Sequence, residues 1–148
     1  MEIRFVGPDC ADFRRLAALL DAYYFTLVGD IQLKYAEPNR PENMNALVVA
    51  YEGENAIACG AWKAIDEKTA EIKRIFVDPQ HRRKGAASSV IRALEENVLA
   101  SGRNKLILET AVDTTGSHAL YHSLGYKLRD YYGSPAGADN CMCFHKEM

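Results

Sequence analysis

The chain has 148 residues, which suits one domain around one core spanning residues 1–148. Hydrophobic residues make up 48% and charged residues 26%, a balance that excludes disordered and fibrous classes. The formal net charge of −2 argues against nucleic acid as the main partner, because general affinity there rests on many phosphate contacts.

Glu2 to Val6 alternates in polarity and predicts a first strand. Gly7-Pro8-Asp9 ends it, with Asp9 as the expected helix cap. Phe13, Leu16, Leu20, Tyr23, Tyr24 and Leu27 then recur at helical spacing, and Gly29 is the stop. Asp30 to Asn45 holds two prolines and mixed polarity, and reads as a loop with room for a short helix. Ala46 to Tyr51, Ala56 to Ala64 and Thr69 to Val77 read as three strands of a meander.

The third of these strands ends at Asp78-Pro79 and feeds a short basic loop, after which Gly85 opens a helix to about Ala100. The first turn of a helix has N–H groups without intrahelical partners, and the helix dipole is positive there. Gly85 removes the Cβ that would hold an anion away from the backbone. Ala86 and Ala87 keep the approach open, and Arg82, Arg83 and Lys84 add charge for a polyphosphate. Val90, Ile91, Leu94 and Val98 give this helix its buried face, and Gly102 ends it.

Lys105 to Thr110 is an apolar strand ending in Glu109 and Thr110, followed by a short helix from Gly116 to Leu124. Tyr126 to Tyr132 and Asn140 to Lys146 are the last two expected strands, separated by a loop rich in glycine and proline. This order predicts an α/β domain with a mixed, mostly antiparallel sheet of about seven strands flanked by helices. The fourth strand, the helix and the fifth strand form a βαβ crossover, so those two strands run parallel.

No apolar run approaches the ~20 residues of a membrane span. The first residues lack the apolar region of a signal peptide, which makes the cytoplasm the expected location. Cys10, Cys59, Cys141 and Cys143 form no disulfide framework and read as reduced thiols, Cys141 and Cys143 sharing one strand face. His118 and His122 are four apart on a helix but lack a third ligand of fixed spacing, so no metal is expected.

Two motifs carry a resemblance to a known family. Arg82-x-x-Gly85-x-Ala87 follows a strand ending in Val-Asp-Pro, and Ala119-Leu120-Tyr121-His122-Ser123-Leu124-Gly125-Tyr126 runs from a helix into Gly-Tyr. Both are similar to signatures of the GNAT superfamily of acyl-CoA-dependent N-acyltransferases. Glu71 to Val77 also resembles that family's fourth strand. The likeness is strongest from Ala46 onward; the first 45 residues match in element order.

The resemblance implies the GNAT fold, with a splayed cleft between strands 4 and 5, and an N-acetyltransferase moving the acetyl group of acetyl-CoA to a primary amine in a ternary complex. It implies that the backbone of Ile75, Phe76 and Val77 holds the pantetheine arm. The loop of Arg82, Arg83, Lys84, Gly85, Ala86 and Ala87 would take the pyrophosphate. Arg83 stands where the family commonly has glycine. Thr114 occupies the position of a frequent asparagine near the pantetheine.

Tyr121 is the expected acid and a cofactor contact. A phenol suits a thiolate leaving group, their unperturbed pKa values being only ~1.5 units apart. The alternative is that Tyr121 packs in the core. Glu71 and Glu109, on the strands either side of the cleft, compete as base, directly or through water. Their alternative is a solvated or paired strand-end charge.

Tyr23, Tyr24, Phe25 and Tyr35 fall where the family builds its acceptor pocket. The loop from Tyr131 to Asp139 is a candidate for the other wall, with Gly133, Pro135 and Gly137 suiting either a lid or an ordinary connection. Bulky Tyr131 and Tyr132 favour a closed pocket and a small-molecule amine. A protein or peptide acetyltransferase and a non-catalytic acyl-CoA-binding module are the alternatives, and both monomer and homodimer stay open.

Overall fold

The computed structural model describes residues 1–29, 39–111, 115–133 and 141–148. Its elements run β1 (Glu2–Val6), α1 (Ala11–Val28), β2 (Ala46–Glu52), β3 (Asn55–Ala64), β4 (Thr69–Val77), α2 (Ala86–Ala100), β5 (Lys105–Ala111), α3 (Thr115–Ser123), β6 (Lys127–Arg129) and β7 (Cys141–Glu147). Short 3₁₀ turns at Pro41–Asn43 and Pro79–His81 punctuate the connections. The strands form one seven-stranded sheet in the order β1-β2-β3-β4-β5-β7-β6. Every pairing is antiparallel except β4 with β5, the parallel pair that the crossover through α2 requires. Among the described residues no helix is long and apolar enough to cross a membrane.

Alternation along the strands sends side chains to two separate cores. Val48, Ala50, Ala58, Trp62, Ile72, Leu106, Leu108 and Phe144 pack with Val90, Ile91, Leu94 and Val98 of α2 and with Tyr121 of α3. On the other face, Leu47, Val49, Cys59, Ala61 and Phe76 pack with Phe13, Leu16 and Leu20 of α1. The sheet is thus a middle layer, with α1 on one side and α2 and α3 on the other.

Two sequence expectations shift. Asp9 is not the helix cap: the Cys10 N–H closes a turn on the Gly7 carbonyl at 3.1 Å, and Cys10 becomes the N-cap with no side-chain bond. The strand expected over Tyr126 to Tyr132 contracts to β6, Lys127–Arg129. Tyr126 is drawn into the core, where its hydroxyl donates to Glu95 at 2.8 Å. Tyr131 and Tyr132 turn away to carboxylates on β5 and β4.

Strand β4 is the irregular one. Opposite Gly60 it holds two residues, Arg74 and Ile75, because Cys59 pairs with Phe76 and Ala61 with Lys73. This bulge puts Arg74 at φ 61°, a left-handed conformation that side chains rarely adopt. Gly60 makes room for it. A Cβ there would lie 2.6 Å from Val90 Cγ1 and 2.7 Å from Ile75 Cδ1.

A fork follows. β4 pairs with β5 only from Thr69↔Lys105 to Ile72↔Leu108. Beyond that rung, Lys73 to Val77 of β4 have no ladder partner on the β5 side among the described residues. β5 meanwhile keeps its antiparallel pairing to β7 as far as Ala111↔Cys141. The opening this creates holds the site.

Candidate active site in the fork of the sheet

The fork widens into a cleft of about 820 Å³. Its walls include Ile75, Phe76 and Val77 from β4, Arg82, Arg83, Gly85, Ala86, Ala87 and Ser88 around the start of α2, and Glu109, Thr110 and Ala111 from β5. Leu120 and Tyr121 of α3 close one side, and Leu20, Tyr23 and Tyr24 of α1 the other. Glu71, Lys73 and Arg74 also line it.

One end is built for an anion. Gly85 is the N-cap of α2, in the left-handed region at φ 79°, and a Cβ built on it meets nothing within 4 Å. As a glycine, Gly85 has no side chain with which to cap this helix start. Its first-turn N–H groups therefore stay available beside Ala86, Ala87 and Ser88. Arg82 is braced by a bond from Nε to the Val77 carbonyl at 3.3 Å and sits 5.9 Å from the Phe76 ring centroid. Arg83 holds φ 66°, so this position requires the conformation that glycine supplies freely. That explains in backbone terms why arginine stands out there. Lys84 is exposed and does not line the cleft.

At the apex of the fork the two sheet faces present different chemistry. The register places Glu71 beside Ile107, so Glu71 and Glu109 share the α1 face. Glu71 is 8% exposed; it accepts from the Tyr132 hydroxyl at 2.5 Å and from Lys73 Nζ at 3.4 Å. Glu109 accepts from the Tyr131 hydroxyl at 3.1 Å. It also bonds the Cys141 thiol, whose pKa rises to about 12, chiefly through burial and then through the carboxylate's charge. Two adjacent tyrosines thus hold the two carboxylates in fixed orientations. Gly133 packs directly behind them, since a Cβ there would stand 2.5 Å from Glu109 Oε2.

Tyr121 belongs to the opposite, α2/α3 face. Its ring meets Tyr126 edge-on at 5.7 Å between centroids and Phe144 at 5.9 Å. Only 6% of the residue is exposed. Burial first, and then the nearby Tyr24, push its pKa well above that of an ordinary phenol. Among the described residues its hydroxyl has no hydrogen-bond partner. Tyr121 is therefore both a core residue and a cleft wall. Tyr24 crosses from α1 to bond the Thr110 side chain, and burial raises its pKa as well.

Of the residues singled out in the sequence, Thr114, Tyr35, Pro135, Gly137 and Asp139 lie outside the described residues. Phe25 is half exposed and does not line the cleft. Lys73, Arg74, Asn39, Thr110 and Ser88 were not singled out, yet all five line it. A signal for the first two was present. Two consecutive cations interrupt the alternation of Glu71-Ile72-Lys73-Arg74-Ile75, as a bulge does.

Comparisons with known proteins agree with this geometry. The model of the Acetyltransferase (GNAT) family matches residues 13–126. A Bacillus subtilis protein described as the uncharacterized N-acetyltransferase YsnE is 35% identical over 80 residues, which are 53% of this chain and 53% of that protein. The chain thus spans about half the length of that relative. A putative acyl-CoA N-acyltransferase from Klebsiella pneumoniae superposes with a TM-score of 0.81 at 27% identity, covering 99% of this chain and 96% of the other. A GNAT family acetyltransferase from Elizabethkingia anophelis, solved with acetyl-CoA bound, shares the fold with a TM-score of 0.73 at 15% identity, over 99% and 97% of the two chains.

Proposed function

We propose, from the premise that this chain belongs to the GNAT acetyltransferase family and is an acyltransferase, that it acetylates the primary amine of a small molecule using acetyl-CoA. The carrying observation is the fork itself. It opens both faces of the sheet at one point, with Glu71 and Glu109 on one face and Tyr121 on the other.

Acetyl-CoA supplies an acyl thioester, whose carbonyl carbon is the point of attack. The residues here fit that molecule: an uncapped helix start with an open Gly85 suits its pyrophosphate, and the unpaired edge of β4 at Ile75 to Val77 suits an amide-bearing arm. Arg82 and Arg83 neutralise phosphate charge. In this reading Glu71 takes the proton of the attacking amine, directly or through one water, while Glu109 holds the amine in place. Tyr121 gives its proton to the departing sulfur. Its raised pKa keeps it protonated, while widening the gap to the thiolate beyond that of an ordinary phenol. Amine and thiolate thus approach and leave on opposite faces of the sheet, so neither proton transfer obstructs the other.

Partial cover on the acceptor side supports a small molecule over a protein. Tyr131, Tyr132 and Gly133 pack onto the two carboxylates and cover that side of the apex. The test is thiol release from acetyl-CoA across a panel of amines, polyamines, amino acids and peptides. Acceleration by small amines is the expected result. Acceleration by peptides alone would establish a protein acceptor instead, and none at all would leave an acyl-CoA-binding module.

Arg83 offers a local check. Arg83→Gly should change stability by under about 1 kcal/mol, because relief of left-handed strain is offset by the greater chain entropy of glycine. Acetyl-CoA affinity, measured by titration, should fall by up to about fivefold, the worth of one exposed charge pair.

A further inference from the structure

The acceptor side of the cleft holds more than a base. Lys73 and Arg74 are consecutive, and the bulge in β4 turns both toward the α1 face; both line the cleft. Arg74 is held there at a backbone cost, since it occupies φ 61°. Its side chain is only 4% exposed. One guanidinium nitrogen, Nη2, donates to the Ala17 carbonyl at 2.9 Å and to Asp21 at 2.8 Å, which fixes the group against α1. The Nε–H is buried and has no partner among the described residues. A buried guanidinium N–H without an acceptor is costly unless a ligand supplies one. In the same cleft, Asn39 Oδ1 is also buried without a partner among the described residues. Among the described residues the walls therefore leave a cationic donor and a neutral amide oxygen unsatisfied, in the cleft that Glu71 and Glu109 also line.

Resting on the acetyltransferase reading above, we infer that the acceptor is a primary amine that also carries a carboxylate, an amino-acid-like zwitterion. Arg74 and Lys73 take the carboxylate. Asn39 takes a polar group of the acceptor, and Glu71 and Glu109 face its amine. The charges match in kind: two anions toward the nitrogen, two cations toward the carboxylate. Lys73 Nζ reaches Glu71 at 3.4 Å and keeps further N–H groups for the carboxylate. A simple alkylamine would leave the Arg74 Nε–H unmatched and would bind more weakly.

The experiment compares kcat/KM for free amino acids with that for the same amino acids as C-terminal amides, in the wild-type protein, Lys73→Met and Arg74→Gln. The two acceptors differ only in the carboxylate. Wild type should favour the free acids at least tenfold, through KM. Each substitution should erase most of that preference by raising KM for the acids at least fivefold more than KM for the amides. Arg74 is buried, so the shift in Tm on adding acetyl-CoA checks that each variant is folded; Lys73→Met tests the same pocket from a less buried position. If the amides are used as well as the acids, the inference falls and the acetyltransferase reading stands. If no acceptor is acetylated, both fall.

Discussion

Replacing Tyr121 with phenylalanine is expected to lower kcat by about two orders of magnitude while leaving the affinity for acetyl-CoA within threefold. General acid catalysis contributes about 10²–10⁴-fold, and this substitution removes only the acid. The ring contacts survive, because Phe keeps the edge-on approach to Tyr126 and the contact with Phe144. No hydrogen bond is lost either, since the hydroxyl has no partner among the described residues. The pH dependence follows from burial. A donor must be protonated, and the pKa of Tyr121 lies above the ordinary phenol value. The wild-type kcat should therefore show no alkaline fall up to about pH 10, where a free phenol would already be half ionised. An unchanged kcat in Tyr121→Phe would remove Tyr121 as the acid and leave it a packing residue.

The second large effect concerns the carboxylates. Glu71→Gln should reduce kcat about 100-fold, the scale of losing a general base. Glu109→Gln should reduce kcat less than tenfold and raise KM for the amine. The difference rests on position: Glu71 is the more buried and lies one residue before the last paired rung, at the apex of the fork. Both glutamines are nearly isosteric and can still accept the bonds from Tyr132 and Tyr131. Steady-state kinetics over a range of pH separates the two roles. The reverse order of effects would transfer the base to Glu109.

Much of this arrangement was legible in the sequence because it depends on local rules. The strand of Thr69 to Val77, the glycine at a helix start and the buried stripe of Val90, Ile91, Leu94 and Val98 each follow from periodicity or backbone freedom. The parallel pairing of β4 and β5 follows from the handed crossover between them. The less legible features are long-range. Tyr131 and Tyr132 alternate like a strand, but bonds to carboxylates on two other strands remove them from the ladder. Arg74 was not singled out in the sequence. Its burial depends on a bulge opposite Gly60 and on Asp21, which is 53 residues away in the chain. The link between Tyr24 and Thr110 likewise joins the first helix to the fifth strand, and no local pattern announces it.

The central claim is that the fork of the sheet takes acetyl-CoA as its donor. Calorimetric titration with acetyl-CoA tests it most directly, comparing the wild-type protein with Gly85→Val. The account predicts one saturable site per chain, competed by CoA and weakened at least tenfold by the valine, whose side chain would enter the open space above the helix start. Absence of saturable binding, or equal affinity in a folded Gly85→Val protein, would contradict it.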